Sequence, residues 1–327
     1  MKKILSHLFE HKTLPRGEAR QVLENISAGQ YTESEIASFI TVYLMRSITL
    51  EELRGFRDAL LGLAVPCVLT GELTDIVGTG GDGKNTFNIS TLSCFIVAGA
   101  RQKVAKHGNY SASSISGASN VMEHLGYSFT NDAGILQRQL DDANICFLHA
   151  PLFHPALKKV SGIRKNLALR TFFNMLGPLV NPANPALQLI GVSSLEIARM
   201  YTYLLQEEQK NYCIVHSLDG YDEISLTSDV KIIRPGGEKI MSAREIGKRT
   251  VAPADIFGGS SVDDAAAIFL SVLRGEGTWA QNAVVLSNAA MALHTNPLYP
   301  NFETCYQLAV NSLESGNAYK CFTKIVA

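Results

Sequence analysis

Residues Asp75 to Thr91 read Asp-Ile-Val-Gly-Thr-Gly-Gly-Asp-Gly-Lys-Asn-Thr-Phe-Asn-Ile-Ser-Thr, a short apolar strand and a glycine- and hydroxyl-rich turn that opens into the apolar run Leu92 to Ala100. A strand feeding such a turn before a helix presents convergent backbone N–H groups at the positive helix end, a setting suited to phosphate. Gly78, Gly80, Gly81 and Gly83 permit left-handed backbone and close approach, while Thr86, Asn88, Ser90 and Thr91 offer donors or metal-facing oxygens. By itself the cluster also fits an ordinary tight turn, so the flanking sequence has to decide.

Upstream, roughly the first 65 positions carry helical apolar spacing: Ile4, Leu5, Leu8 and Phe9, then Ala19, Val22, Leu23 and Ile26, then Ile36, Phe39, Ile40, Tyr43 and Leu44. Thr32 with Glu35 and Thr49 with Glu52 read as capping boxes. The helical pattern stops near Ala64-Val65-Pro66. From Leu73 short β-rich runs, including Val104-Ala105, Ile145 to Leu148 and Tyr212 to Val215, alternate with helical ones. The expected organisation is a small all-helical domain over residues 1–68 and a large α/β domain over 69–327. Ligand-binding loops of such sheets sit beyond strand ends, so the motifs should gather along one rim.

Composition sets limits. The 327 residues are 46% hydrophobic, ample for a sizeable core, and 29 basic against 30 acidic residues leave a formal net charge of −1. No bulk field favours nucleic acid or an anionic membrane, and phosphate recognition must be local. Six scattered cysteines form no C-x-x-C pair and read as buried reduced thiols. No stretch is apolar enough to span a bilayer, and Ser6, His7, Glu10 and His11 interrupt any signal-like start, so the expected location is the cytoplasm.

Three further clusters carry chemistry. Lys106-His107-Gly108-Asn109 follows Val104-Ala105 and precedes a serine-rich stretch; Lys106 can meet a polyanion as a point charge, His107 is a proton acceptor or a structural residue, and Asn109 orients a substrate or braces the turn. Asp222 and Glu223 stand together after Gly220, which permits the irregular backbone that joint action needs; hard oxygen ligands on a loop suit magnesium. His154 through Arg164 leads into Arg170-Thr171-Phe172-Phe173-Asn174-Met175-Leu176-Gly177-Pro178, where Arg164 could grip a carboxylate in bidentate fashion or lie on a helix surface.

Together, Gly-Thr-Gly-Gly-Asp with Asn-Ile-Ser-Thr, Lys-His-Gly-Asn, Arg-Thr-x-Phe-Asn-x-Leu-Gly-Pro-Leu-x-Asn-Pro and Asp-Glu occur in an order that resembles the anthranilate phosphoribosyltransferase family, over nearly the whole chain. The resemblance implies a nucleoside phosphorylase-type two-domain fold, a central mixed sheet flanked by helices, with part of 165–190 packing with the helical domain and a homodimer formed through that domain. It implies that Gly78, Gly81, Asp82, Thr86, Asn88, Ile89, Ser90, Thr91, Lys106, His107, Gly108, Asn109, Ser113, Ser114 and Ala118 surround phosphoribosyl pyrophosphate. Ser90, Asp222 and Glu223 would place two magnesium ions, and Gly78, Asn109 and Arg164 would meet anthranilate, with no residue assigned to covalent or acid–base catalysis. The chain departs from the family pattern at Tyr110, where arginine is common, and at Ile115, Ala118 and Asn120. Two other functions compete: a pyrimidine nucleoside phosphorylase, and a non-catalytic nucleic-acid-binding relative, which should show eroded metal ligands and a basic groove.

Overall fold

A computed structural model of the protein describes residues 1–110, 116–247 and 249–326. The chain divides into two compact units. One comprises Met1–Cys67 and Ala150–Pro182, the other Val68–His149 and the chain from Ala183 onward.

The first unit is helical: Lys2–Phe9, Arg16–Ser27, Glu33–Met45, Leu50–Gly62 and, returning later in sequence, Pro155–Leu167. Both capping boxes form. Thr32 Oγ1 accepts from the Glu35 amide at 3.3 Å and Glu35 accepts back from the Thr32 amide at 3.0 Å; Thr49 and Glu52 repeat the pattern at 3.3 and 2.9 Å. Glu52 does more than cap. Fully buried, it also accepts from Leu14 N–H and from the Arg46 guanidinium through both carboxylate oxygens. Burial pushes its carboxyl upward, yet Arg46 and the Leu14 and Thr49 amides outweigh burial and hold it below the usual value. Around this anchor Phe39, Tyr43, Phe56 and Phe172 pack, with Phe56 stacked on Phe172 at 4.6 Å between centroids.

The second unit is built on a seven-stranded mixed sheet of order β3-β2-β1-β4-β5-β6-β7. The strands are β1 (Leu73–Gly78), β2 (Lys103–Gly108), β3 (Ile145–His149), β4 (Leu187–Gly191), β5 (Asn211–Ser217), β6 (Val230–Arg234) and β7 (Gly237–Met241). The first five in that order run parallel, and β6 and β7 add an antiparallel edge. Helix Ile89–Gly99 is buried almost all round and packs with helix Trp279–Leu293, which explains why both lack a polar face. The strand order reverses between β1 and β4. At such a switch point the loops leaving two neighbouring parallel strands run to opposite sides and open a crevice beyond their carboxyl ends. Among the described residues no helix is long and apolar enough to cross a membrane.

Candidate functional site

The crevice beyond β1 and β4 is where the glycine turn and the acidic pair meet. Gly78 and Gly191 are register partners at the ends of these strands, and Thr79 extends the pairing by donating its N–H to Gly191 O at 2.9 Å. The chain then breaks from the sheet through Gly80, Gly81 and Gly83, all left-handed at φ of 64°, 71° and 74°. Asp82 turns back on its own loop and accepts from the Lys84 amide at 3.0 Å, so its carboxylate brackets the turn.

The Asp222-Glu223 segment lies in an irregular stretch after β5 that is opened by Gly220 at φ 100°. Its backbone rests directly on the paired glycines: a Cβ at Gly191 would stand 1.5 Å from Asp222 O, and one at Gly78 would stand 2.3 Å from Asp222 Oδ2. Thus seated, Asp222 Oδ2 accepts from Gly80 N–H at 2.6 Å. Glu223 turns to the start of helix Ile89–Gly99, where it accepts from Ser90 N–H at 3.0 Å and lies 3.5 Å from Thr86 Oγ1. Neighbouring residues therefore act on one loop, as the irregular backbone allows. Thr86 is held from behind by an antiparallel bridge to Phe257.

The electrostatics of this arrangement call for a cation. Burial first, and then the negative Asp222 and Asp82 nearby, push the Glu223 carboxyl well above the usual range, against the lowering pull of the Ser90 amide and Lys106. Among the described residues no three His, Cys, Asp or Glu side chains gather as a metal cage. Two carboxylates and a hydroxyl instead make an incomplete set of hard oxygens, the kind magnesium completes with water and substrate phosphate. The hydroxyls of Thr79 and Thr91, both buried, make no hydrogen bond among the described residues, so the turn retains donors for an oxyanion.

The remaining sequence-based candidates are distributed as follows. Lys106 lies within β2 rather than at its end; 2% exposed, it donates to Ile76 O at 2.7 Å, so its charge acts from beneath the turn. His107 is buried, and its backbone N–H donates to Asp75 Oδ1 at 3.2 Å. Asp75 is fully buried and was not singled out from sequence, where it reads as an ordinary strand residue. Gly108 closes β2, with Ala118 positioned so that a Cβ on Gly108 would just touch it at 3.8 Å. Asn109 is exposed. Asn88 donates to Ser116 O at 3.2 Å, and Ile89 is fully buried. Ser113, Ser114 and Ile115 lie outside the described residues.

Arg164 belongs to the helical unit. On helix Pro155–Leu167 it sits 5.4 Å over the Phe173 ring and 3.4 Å from Asn174 Oδ1. Burial lowers its pKa, and no carboxylate is recorded within ion-pair distance of it among the described residues. A guanidinium so placed keeps its fork available for an anion. Gly191 and Thr79 were also missed. A glycine closing an apolar strand is the signal that could have found Gly191, since it marks close backbone approach.

A helical-bundle family model described as "Glycosyl transferase family, helical bundle domain" matches residues 2–64, and "Glycosyl transferase family, a/b domain" matches residues 70–319. The anthranilate phosphoribosyltransferase of Christiangramia forsetii is 55% identical over 326 residues, covering 99% of this chain and 98% of the relative. Among solved structures, the anthranilate phosphoribosyltransferase of Thermus thermophilus superposes with a TM-score of 0.90 at 29% identity, covering 98% of each chain. That of Saccharomyces cerevisiae in complex with PRPP and Mg gives 0.90 at 25% identity, covering 98% and 95%. With matching domains in the same order and full-length identity above half, this chain belongs to the anthranilate phosphoribosyltransferase family.

Proposed function

We propose that the chain transfers the 5-phosphoribosyl group of phosphoribosyl pyrophosphate to the amine of anthranilate, releasing pyrophosphate, as a step of tryptophan biosynthesis. The observation that carries this reading is the docking of Asp222 and Glu223 onto the glycine turn at the switch point, at 2.6 Å to Gly80 N–H and 3.0 Å to Ser90 N–H. Ser90, Asp222 and Glu223 would hold magnesium, two ions per site. When bound, magnesium supplies positive charge to the departing diphosphate.

The chain's own residues do the rest. The amides of the turn beyond Gly80, whose own N–H is taken by Asp222, and the Thr79 and Thr91 hydroxyls, without a hydrogen bond among the described residues, bind diphosphate oxygens, with Lys106 adding field from below. Fixed donors of this kind favour the leaving group's developing charge without reorganising during the reaction. Arg164 holds the anthranilate carboxylate and Asn109 its neighbourhood, which orients the free amine. Holding two reactants in line contributes roughly 7–11 kcal/mol of barrier lowering in favourable cases, so no covalent intermediate or strong base is needed.

The helical unit exposes Phe9, Leu44 and Met45, which supports a homodimer formed through it. Six free buried cysteines fit a reducing cytoplasm. The deciding assay follows loss of anthranilate fluorescence with phosphoribosyl pyrophosphate, with and without magnesium. Magnesium-dependent loss is expected; phosphorolysis of thymidine or uridine instead would overturn the reading.

A further inference from the structure

Asn109 stands just past the last residue of β2, beyond the ladder that fixes Lys106 to Gly108, so something other than the sheet must set its orientation. Its own backbone is held loosely, by Ser119 N–H to Asn109 O at 3.4 Å. Its carboxamide is held firmly: Asn109 Oδ1 accepts from Tyr110 N–H at 2.8 Å. That bond fixes which way the amide faces, because only the oxygen can accept from an N–H. Among the described residues the Nδ2 donors have no partner and are left for a ligand, and the group they suit is an oxygen acceptor.

Tyr110 is itself gripped at two points. Its hydroxyl donates to Glu123 Oε1 at 2.6 Å, across to helix Ala118–His124. Its ring meets His149, the last residue of β3, edge to face at 4.8 Å. His149 is in turn immobilised, stacked on Phe129 at 4.5 Å and bonded through Nδ1 to Ser119 Oγ at 2.9 Å. A phenol whose polar end and ring both have fixed partners holds its own backbone still, and with it the amide that Asn109 leans on.

We propose that Tyr110 is a positioning residue: through Glu123 and His149 it locks Asn109 with its amide donors presented to an anionic oxygen of the acceptor substrate. The proposal rests on the reading that Asn109 meets anthranilate. It also gives the tyrosine a role where the family commonly has arginine, with a neutral hydrogen bond and a ring contact as the anchor in place of a charge.

The test is steady-state kinetics by anthranilate fluorescence for Tyr110→Phe, Tyr110→Ala, Glu123→Ala, Glu123→Gln and the Tyr110→Phe/Glu123→Ala pair, each with its melting temperature. Tyr110→Phe and Glu123→Ala should each raise the anthranilate KM about 3- to 10-fold, the loss of one hydrogen bond's worth of binding, with kcat within about 2-fold. The double variant should be no worse than the worse single one, and Glu123→Gln, which keeps the acceptor oxygen, should stay near the parent. Tyr110→Ala should be worse than Tyr110→Phe. An unchanged anthranilate KM in Tyr110→Ala overturns the proposal, as do multiplying effects in the double variant, or equal losses for both substrates that track a lower melting temperature. If the parent protein itself consumes no anthranilate, the assigned reaction and this proposal fall together; an active parent indifferent to Tyr110→Ala sinks this proposal alone.

Discussion

Gly191→Ala is the perturbation that asks most directly whether the Asp222 loop must sit on β4. The added Cβ would stand 1.5 Å from Asp222 O and 2.7 Å from its carbonyl carbon, both backbone atoms, so no rotamer change can relieve the overlap. Ordinary contact between such atoms begins near 3.5 Å, so the loop must lift by on the order of 2 Å. Gly191 is not among the positive-φ residues, so alanine carries no backbone strain there and the effect is steric alone. Overpacking of this kind costs about 1–3 kcal/mol of stability. Catalysis should suffer more. Lifting Asp222 breaks its 2.6 Å bond to Gly80 N–H and moves both carboxylates off the turn, and a misplacement of about 1 Å is worth on the order of 100-fold in rate. The assay is kcat and the magnesium concentration for half-maximal rate, with melting temperature alongside. We expect a folded protein with turnover lowered roughly 100-fold and a raised magnesium requirement. Gly78→Ala is the internal comparison, because its Cβ meets the Asp222 carboxylate, at 2.3 Å from Oδ2, and a side chain can swing away; its stability loss should be smaller, while turning that carboxylate off Gly80 N–H should still lower turnover and raise the magnesium requirement. A folded Gly191→Ala enzyme with parental turnover and magnesium response would show that the loop need not rest on β4.

Replacing the acidic pair, Asp222→Asn with Glu223→Gln, should leave the fold intact and abolish the rise in melting temperature that magnesium gives the parent, with turnover strongly reduced; full magnesium-dependent activity would remove these residues from the metal site. Arg164→Ala should raise the anthranilate KM at least about 10-fold, since a charge-assisted pair is worth about 1.5–3 kcal/mol, while stability falls by about 1–2 kcal/mol for the lost Asn174 bond and Phe173 contact; an unchanged KM would assign the carboxylate to another group. His154, fully buried with Nε2 on Val180 O at 2.9 Å, is pushed down to about 4, mainly by burial. Its contribution to stability is therefore complete above the unfolded value near 6.5 and is lost as pH falls from there toward 4, a loss on the order of 3 kcal/mol. His154→Gln should flatten the fall in melting temperature over that window, and an equally steep fall in the variant would place the titration elsewhere, His294 being the other histidine pushed to about 4.

What the sequence disclosed follows the range of the interactions involved. Thr32 with Glu35 and Thr49 with Glu52 are pairs three residues apart, and a local pattern read them directly. Of the parallel strands of the α/β unit, β1, β2, β3 and β5 were legible for the same reason, since each is a short β-rich run between helical ones, whereas β4 (Leu187–Gly191) was not named. Glu52 marks where that reading stops: its capping role is local, but its burial against Leu14 and Arg46 depends on packing between helices that no spacing encodes. Lys106 and Asp75 show the same limit, because a charged residue in a strand betrays nothing of whether its neighbours cover it. The site lies at the far end of this scale. Gly78, Gly191 and Asp222 come from three separated stretches, and each looks ordinary alone: a turn glycine, a strand glycine and a loop acid. What unites them is strand order, which puts β4 beside β1 although β2 and β3 intervene in sequence. Two glycines then stand side by side where the sheet ends, and the shallow floor they make, lacking two Cβ atoms, is what lets an acidic loop come down onto a phosphate-type turn. The acidic pair is therefore governed by the strands beneath it as much as by its own residues, and substitutions in β4 should change metal response without touching any group that holds the metal.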